Sequence, residues 1–193
     1  MTEPSMPPTD KPALRAHIRA ARDAFVASGT RDIAAPAPFR ALLEPGFTVS
    51  AYVPIGSEAD PATLVQAARA AGCAIALPHV TSRDQPMRFL RWNDDETLHR
   101  GPLGLRQPHG ESQVLAPDII LTPLLAFDAK LDRLGQGAGY YDRAFAQFPD
   151  AKRIGVAWSV QQVETLPTDA WDMPLHAVIT ETAWIPLPMS FKP

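Results

Sequence analysis

At 193 residues, 46% hydrophobic and 20% charged, the chain is long enough for one well-buried core that needs no staple or structural metal. Its formal charge of −3 excludes a chain-wide basic footprint for nucleic acid or an anionic membrane, so any anionic ligand must be gripped by a local cluster of donors. Cys73 is the only cysteine, which leaves no intrachain disulfide, and no apolar run approaches the roughly 20 residues that cross a bilayer.

Residues 1–10 carry Pro4, Pro7 and Pro8 and lack an apolar h-region, so they read as a flexible tail rather than a secretory signal. A cytoplasmic location is the expectation. Leu14, Ile18, Ala21, Phe25 and Val26 recur at helical spacing over residues 12–27, with Asp10 available as a cap and Gly29 just past the end. The alternation over 47–53 suits a strand closed by Pro54. Asp60-Pro61 then opens a helix that runs to Gly72, with a capping side chain and a proline at the first helical position. Residues 73–77 read as a short buried strand ending at Pro78, and residues 87–92 as another.

The stretch 93–116 holds Gly101, Gly104 and Gly110 and reads mostly as loop. Residues 118–123 read as a strand whose Ile119-Ile120-Leu121 forms a continuous apolar run, as expected of one covered on both faces. A helix over 140–148, a strand over 153–158 and a last strand over 177–180 complete the pattern, and Pro186, Pro188 and Pro193 mark residues 186–193 as a second tail. Strands alternating with helices imply an α/β layer fold with a mainly parallel sheet, in one domain over residues 11–185.

The stretch that carries chemistry is Pro123-Leu-Leu-Ala-Phe-Asp128 followed by Arg133-Leu-Gly-Gln-Gly-Ala-Gly-Tyr-Tyr-Asp-Arg143. Gly135, Gly137 and Gly139 alternate just ahead of a helix, where bare backbone lets several N–H groups converge on one anion beside the positive end of the helix dipole. Arg133 and Arg143 flank the loop with charges suited to phosphate. The spacing is neither a Walker A loop nor a dinucleotide fingerprint. On local sequence alone, a tight strand-to-helix connection explains these glycines equally well.

The neighbouring candidates also admit two readings each. Asp142 either complements the helix dipole or ligates a divalent cation, and Asp172 is either a turn aspartate or a second metal carboxylate. Lys11 and Arg15 share a helix face, which together with Arg19 and Arg22 reads as a solvated basic surface unless an anion neutralises it. Glu58, past a strand end, is a substrate contact or an exposed loop acid. His17, His79, His99, His109 and His176 show no metal-ligand spacing, and Cys73 reads as a small core residue.

Taken together, Lys11-x-x-Leu14-Arg15, Tyr52-x-Pro54-x-x-x-Glu58, the 123–128 and 133–143 segments and the Asp172…Ile179-Thr180-Glu181 ending resemble the 5-formyltetrahydrofolate cyclo-ligase family over residues 11–181. The resemblance implies a three-layer α/β domain with a Rossmann-like sheet. It implies ATP contacts from Lys11, Arg15, Arg133, Leu134, Gly135, Gln136, Gly137, Ala138, Gly139, Tyr140 and Tyr141. Arg133 and Tyr141 stand at the catalytic positions, Glu58 and Tyr52 on the substrate, and Asp142 and Asp172 on Mg²⁺. Tyr52, Phe89, Trp92 and Tyr141 are aromatic candidates for the pterin, and ordinary core packing explains each of them equally well.

The implied reaction closes 5-formyltetrahydrofolate to its 5,10-methenyl form with ATP, through a phosphorylated formyl group, in a monomer with no nucleic-acid or membrane partner. Trp171 (where the family usually has histidine), Ala138 and Gln107 depart from the commonest pattern. They keep open a non-catalytic folate- or nucleotide-binding protein. A sugar-phosphate isomerase or acyl-CoA transferase on a similar sheet is the third reading.

Overall fold

The computed structural model describes residues 11–29, 31–169 and 172–188. The expected N-terminal tail with its Asp10 cap, Trp171 and residues 189–193 lie outside the described residues. Chain order begins with α1 (Lys11–Ala27), a short α2 (Ala37–Arg40), β1 (Thr48–Ser50) and α3 (Ala62–Ala70). It continues with β2 (Ala74–His79), β3 (Arg88–Arg91), β4 (His99–Arg100), β5 (Arg106–Gln107), β6 (Ile119–Pro123), β7 (Ala126–Phe127) and β8 (Arg133–Leu134). Last come α4 (Tyr140–Gln147), β9 (Lys152–Val156), β10 (Ala177–Ile179) and β11 (Trp184–Pro186).

The seven-stranded sheet runs β11-β10-β9-β6-β1-β2-β3, parallel throughout its interior, with β3 and β11 antiparallel at the edges. Numbered among themselves, the parallel strands run 2-1-3-4-5, a doubly wound order whose direction of winding reverses between β1 and β6. Side chains alternate across the sheet. Val49, Ile75, Leu121, Ile154 and Ile179 meet Phe25, Leu64, Ala68 and Phe39 on one face, whereas Ile120 and Val178 meet Ala144 and Phe145 of α4 on the other. Helices therefore cover both faces, which gives the three layers.

Local chemistry explains most of the boundaries. The Asp60 carboxylate accepts the Ala62 N–H at 2.9 Å just ahead of α3, whose N-cap is Pro61, one residue past the expected cap, and Gly72 at φ +80° follows its end. Gly155 faces Leu124 and Leu175 so closely that a Cβ there would lie 2.7 Å from each. Cys73 is buried, with Sγ 3.3 Å from the Glu44 carbonyl, as a core residue should be.

Several elements differ from the sequence reading, among them α2, which it did not contain. Residues 177–180 are not the last strand: β11 follows, Pro186 pairs with Ala177, and the Leu187 N–H donates to His176 O at 2.9 Å, so the sheet reaches past the expected tail boundary. An edge strand tolerates a proline because its outer side needs no donor. The 93–116 stretch contains the β4–β5 hairpin, and residues 126–134 form the β7–β8 hairpin. Asp128, buried at its turn, accepts the N–H groups of Lys130, Asp132 and Leu166 at 2.9, 3.1 and 3.2 Å.

Candidate active site

A cavity of about 460 Å³ opens at the C-terminal ends of β1 and β6, where the winding direction reverses and doubly wound sheets hold ligands. Lys11 and Arg15 of α1, residues 133–142, and Asp169 with Asp172 form its charged side. Tyr52, Val53, Ile55, Pro78, Val80 and Met87 form an apolar side. The charged side carries both signs, Lys11, Arg15 and Arg133 against Asp142, Asp169 and Asp172.

Arg133 is delivered by β8, whose pairing with β7 fixes its direction. Its side chain is only 6% exposed, ion-paired with Asp142, and lies 4.8 Å from the Phe145 ring centroid. Its Nε is buried without a partner, and burial pulls the guanidinium below its usual pKa, though it stays charged. A buried cation whose residue lines the cavity is suited to an anionic ligand.

The glycine loop is held open by α1. Arg15 Nε donates to Gly135 O at 2.9 Å, and its guanidinium carbon lies 3.4 Å from where a Cβ on Gly137 would stand, so glycine leaves room for it. Gly137 and Gly139 have φ of +97° and +66°, and Gly139 caps α4 in the left-handed region, which favours residues without a Cβ. Arg19 Nη2 reaches Gln136 Oε1 at 2.8 Å. The face of α1 is thus not merely solvated. Arg22 is 4% exposed, donates to Ser57 Oγ at 2.8 Å, and is pulled below its usual pKa by burial.

Arg143 corrects another expectation, because it turns away from the cavity. It donates to the carbonyls of Ala138 and Arg83 at 3.2 and 3.3 Å and stacks 5.0 Å from the Tyr140 ring centroid. Tyr140 OH in turn donates to Ser82 O at 3.3 Å, so both tie α4 to the β2–β3 loop.

The two aspartates expected on a metal both line the cavity, in different company. Asp142 pairs with Arg133, while Asp172 accepts the Asp169 N–H at 2.8 Å and lies 3.5 Å from Lys11 Nζ. Lys11 sits closer still to Asp169, at 2.5 Å, and that hydrogen bond raises its pKa above the usual lysine range. Asp169 was not singled out by sequence, and nothing in its local pattern marks it.

On the opposite side, Glu58 accepts the Ile55 N–H at 3.0 Å and Gln136 Nε2 at 3.3 Å. Tyr52 is 6% exposed and its hydroxyl donates to Ala59 O at 2.6 Å, so it contributes a ring edge rather than a free phenol. Burial pushes up the phenol pKa of both Tyr52 and Tyr141, holding them protonated. Of the aromatic candidates, Tyr52 and Tyr141 line the cavity. Phe89 is wholly buried in the core, and Trp92 packs beside Arg69 with its indole N–H on Glu96 O.

Gln107 also has a structural partner. Its amide accepts the Val80 N–H at 3.0 Å and donates to Val80 O at 3.2 Å, clamping the 101–107 segment against the apolar wall.

Known proteins resemble the chain in sequence and in fold. The sequence model of the 5-formyltetrahydrofolate cyclo-ligase family matches residues 8–181. The 5-formyltetrahydrofolate cyclo-ligase of Escherichia coli strain K12 is 33% identical over 141 residues, covering 69% of this chain and 77% of that protein. The Haemophilus influenzae protein of the same name is 40% identical over 97 residues, 47% of this chain, and the match spans 52% of that relative's length. Among solved structures, the 5,10-methenyltetrahydrofolate synthetase of Aquifex aeolicus aligns at a TM-score of 0.63 and 27% identity, over 93% of this chain and 86% of that one. The Mycoplasma pneumoniae 5,10-methenyltetrahydrofolate synthetase aligns at 0.66 and 26%, over 89% and 99%.

Proposed function

The chain belongs to the 5-formyltetrahydrofolate cyclo-ligase family, and from that premise we propose that it closes 5-formyltetrahydrofolate to 5,10-methenyltetrahydrofolate at the expense of ATP, with Mg²⁺, as a cytoplasmic monomer. The observation that carries this reading is the two-sided cavity. Lys11, Arg15, Arg133 and a glycine turn stand on one wall, with Tyr52, Met87 and Glu58 on the other.

The chemistry asked of such a site is modest in covalent terms. The N5-formyl oxygen is a poor leaving group. In the proposed sequence it attacks the γ-phosphorus of ATP, the bond to ADP breaks, and the oxygen becomes part of a phosphate ester. N10 then bonds to the activated carbon and loses its proton, and inorganic phosphate departs with the former carbonyl oxygen. No side chain is needed as a nucleophile; positioning and charge neutralisation dominate.

Each residue has a matching task. Arg133 neutralises phosphoryl charge from a buried position where its field is little screened. Backbone N–H groups of 135–141 grip the triphosphate at the start of α4. Lys11 and Arg15 close over it from α1. Tyr141, held protonated by burial, donates a hydrogen bond and does not act as a base. Glu58 accepts from the pterin, whose ring meets the Tyr52 side of the cavity.

Asp142 and Asp172 fit magnesium by chemistry: hard oxygen donors, 32% and 20% exposed, on the cavity that would hold the phosphates. Among the described residues no group of three or more His, Cys, Asp or Glu gathers, so Asp142 and Asp172 are the residues that would hold the ion. Bound there, it supplies further neutralisation of the phosphoryl oxygens.

The test is direct. Incubation with 5-formyltetrahydrofolate, with and without Mg-ATP, is followed by the near-ultraviolet absorbance of the methenyl product. ATP-dependent growth is expected. Binding of the folate without growth would replace the enzyme with a non-catalytic binding protein, and failure to bind either ligand would overturn the reading altogether.

A further inference from the structure

Gln136 lies in the glycine loop, yet its side chain does not point along the loop. Its Oε1 accepts Arg19 Nη2 at 2.8 Å, and its Nε2 donates to Glu58 Oε1 at 3.3 Å. The amide orientation is fixed by these neighbours. Flipping it would set an NH₂ against a guanidinium and a carbonyl against a carboxylate, losing both contacts at once. Glu58 Oε2 is already taken by the Ile55 N–H at 3.0 Å, so both carboxylate oxygens are held.

The loop bearing Glu58 is itself pinned from behind. Arg22 Nε donates to Ser57 Oγ at 2.8 Å, and Trp158 Nε1 donates to Ser57 O at 2.9 Å. The backbone of this loop therefore has a fixed seat, and what remains free is the aim of the Glu58 side chain. A carboxylate held by one backbone N–H can still pivot about that bond. A second donor on the other oxygen removes the pivot.

We propose that Gln136 is a positioning residue for the Glu58 carboxylate, holding its outer oxygen through a relay from Arg19 on α1 and so setting substrate affinity from within the nucleotide loop. The proposal rests on the reading of Glu58 as the folate contact. It goes beyond that reading by giving a side chain of the phosphate-side loop a task on the opposite wall, and by assigning Arg19, which does not line the cavity, a place in the relay.

The two bonds of Gln136 have opposite polarity, which makes them separable by substitution. Gln136→Ala removes both. Gln136→Glu strengthens the bond to Arg19 but sets a second carboxylate against Glu58. Gln136→Lys keeps a donor toward Glu58 but is repelled by Arg19. The readout is the dissociation constant of 5-formyltetrahydrofolate by calorimetry, with neither ATP nor metal present, together with a thermal melt of each variant to confirm folding.

Relative to the parent chain, binding is expected to weaken about threefold in Gln136→Ala, as for loss of an exposed contact, and about tenfold in Gln136→Glu, and to stay within about twofold in Gln136→Lys. In a Glu58→Gln background, the extra loss of Gln136→Glu over Gln136→Ala should vanish. The reverse order, with Gln136→Lys weakest, would show that Gln136 serves only Arg19, and a flat series would show that it positions nothing. Either result overturns the proposal. If Glu58→Gln alone leaves folate affinity unchanged, it is the assignment of Glu58 that falls, whatever the Gln136 series shows.

Discussion

Replacing Arg133 with methionine separates its proposed catalytic task from its structural one. Methionine keeps an apolar stem against Phe145 and removes the charge. The gross attraction lost between Arg133 and Asp142, at hydrogen-bonding separation and an effective dielectric of about 20, is about 5 kcal/mol. Little of this is a net gain in folding. Asp142 is 32% exposed and can rehydrate, which discounts the pair to about 1 kcal/mol. The contact with the Phe145 ring adds about 0.5–1 kcal/mol, and relief of the buried, unpartnered Nε works the other way. Stability should therefore fall by only about 1.5 kcal/mol, roughly 3–6 °C in Tm for a chain of this size. Removal of a preorganised donor from the proposed site of phosphoryl transfer should by contrast lower kcat/KM about 10²–10³-fold. Arg133→Lys, which restores charge without the planar fork, should recover part of that loss. The assay is the methenyl absorbance at saturating Mg-ATP, with melting followed by circular dichroism. A methionine variant that melts as expected and turns over within about fivefold of the parent would refute the placement of Arg133 at the transferring phosphoryl group.

Asp142→Asn keeps the shape of the side chain and a neutral acceptor for Arg133, so it should fold normally while raising the Mg²⁺ concentration for half-maximal rate about tenfold or more; an unchanged metal titration would leave Asp142 as the partner of Arg133 alone. His176 is held down to about 4 by burial, with Arg153 and Lys152 adding repulsion, against an ordinary value of 6.5. Its neutral ring, accepting the Arg153 N–H at 2.9 Å, contributes stability that is full above pH 6.5 and is lost as pH falls from there toward about 4. Melting temperature should drop across that window, and His176→Asn, which keeps an acceptor, should flatten the drop; identical pH slopes would exclude the histidine as its source. Gln107→Glu should cost about 1–3 kcal/mol in urea unfolding at pH 8, because a carboxylate can accept the Val80 N–H but faces the Val80 carbonyl without a proton to offer. Wild-type stability in that variant would show that the amide clamp carries no energy.

The glycine loop and the sheet around it were legible because their determinants are local. A run of alternating glycines ahead of a helix states its backbone freedom outright, and φ of +97° and +66° at Gly137 and Gly139 is that freedom in use. The apolar run of β6 likewise declares a strand covered on both faces, which the structure bears out. The β7–β8 hairpin was not legible. Its paired residues, two on each side, are too few for a period-2 pattern to register, and the turn is organised by buried Asp128, whose role depends on N–H groups as distant as Leu166.

The arginines of α1 show where the reading fell short of what the sequence held. Leu14, Ile18 and Arg22 stand four residues apart, so Arg22 lies on the same stripe as the helix's buried apolar positions, and helical geometry alone should have taken it out of solvent. A basic residue on that stripe needs a polar partner at the far side of the packing interface, and the chain supplies one in Ser57, on the loop that carries Glu58. Arg15 and Arg19 are different. They are 120 and 117 residues from Gly135 and Gln136 in sequence, and no local pattern encodes those bonds. Those bonds, with that of Arg22 to Ser57, set three successive basic turns of one helix against both loops. A helix face of alternating arginines beside a glycine-rich phosphate loop is therefore better read as scaffolding for the site than as solvated surface whenever one of those arginines falls on the apolar stripe.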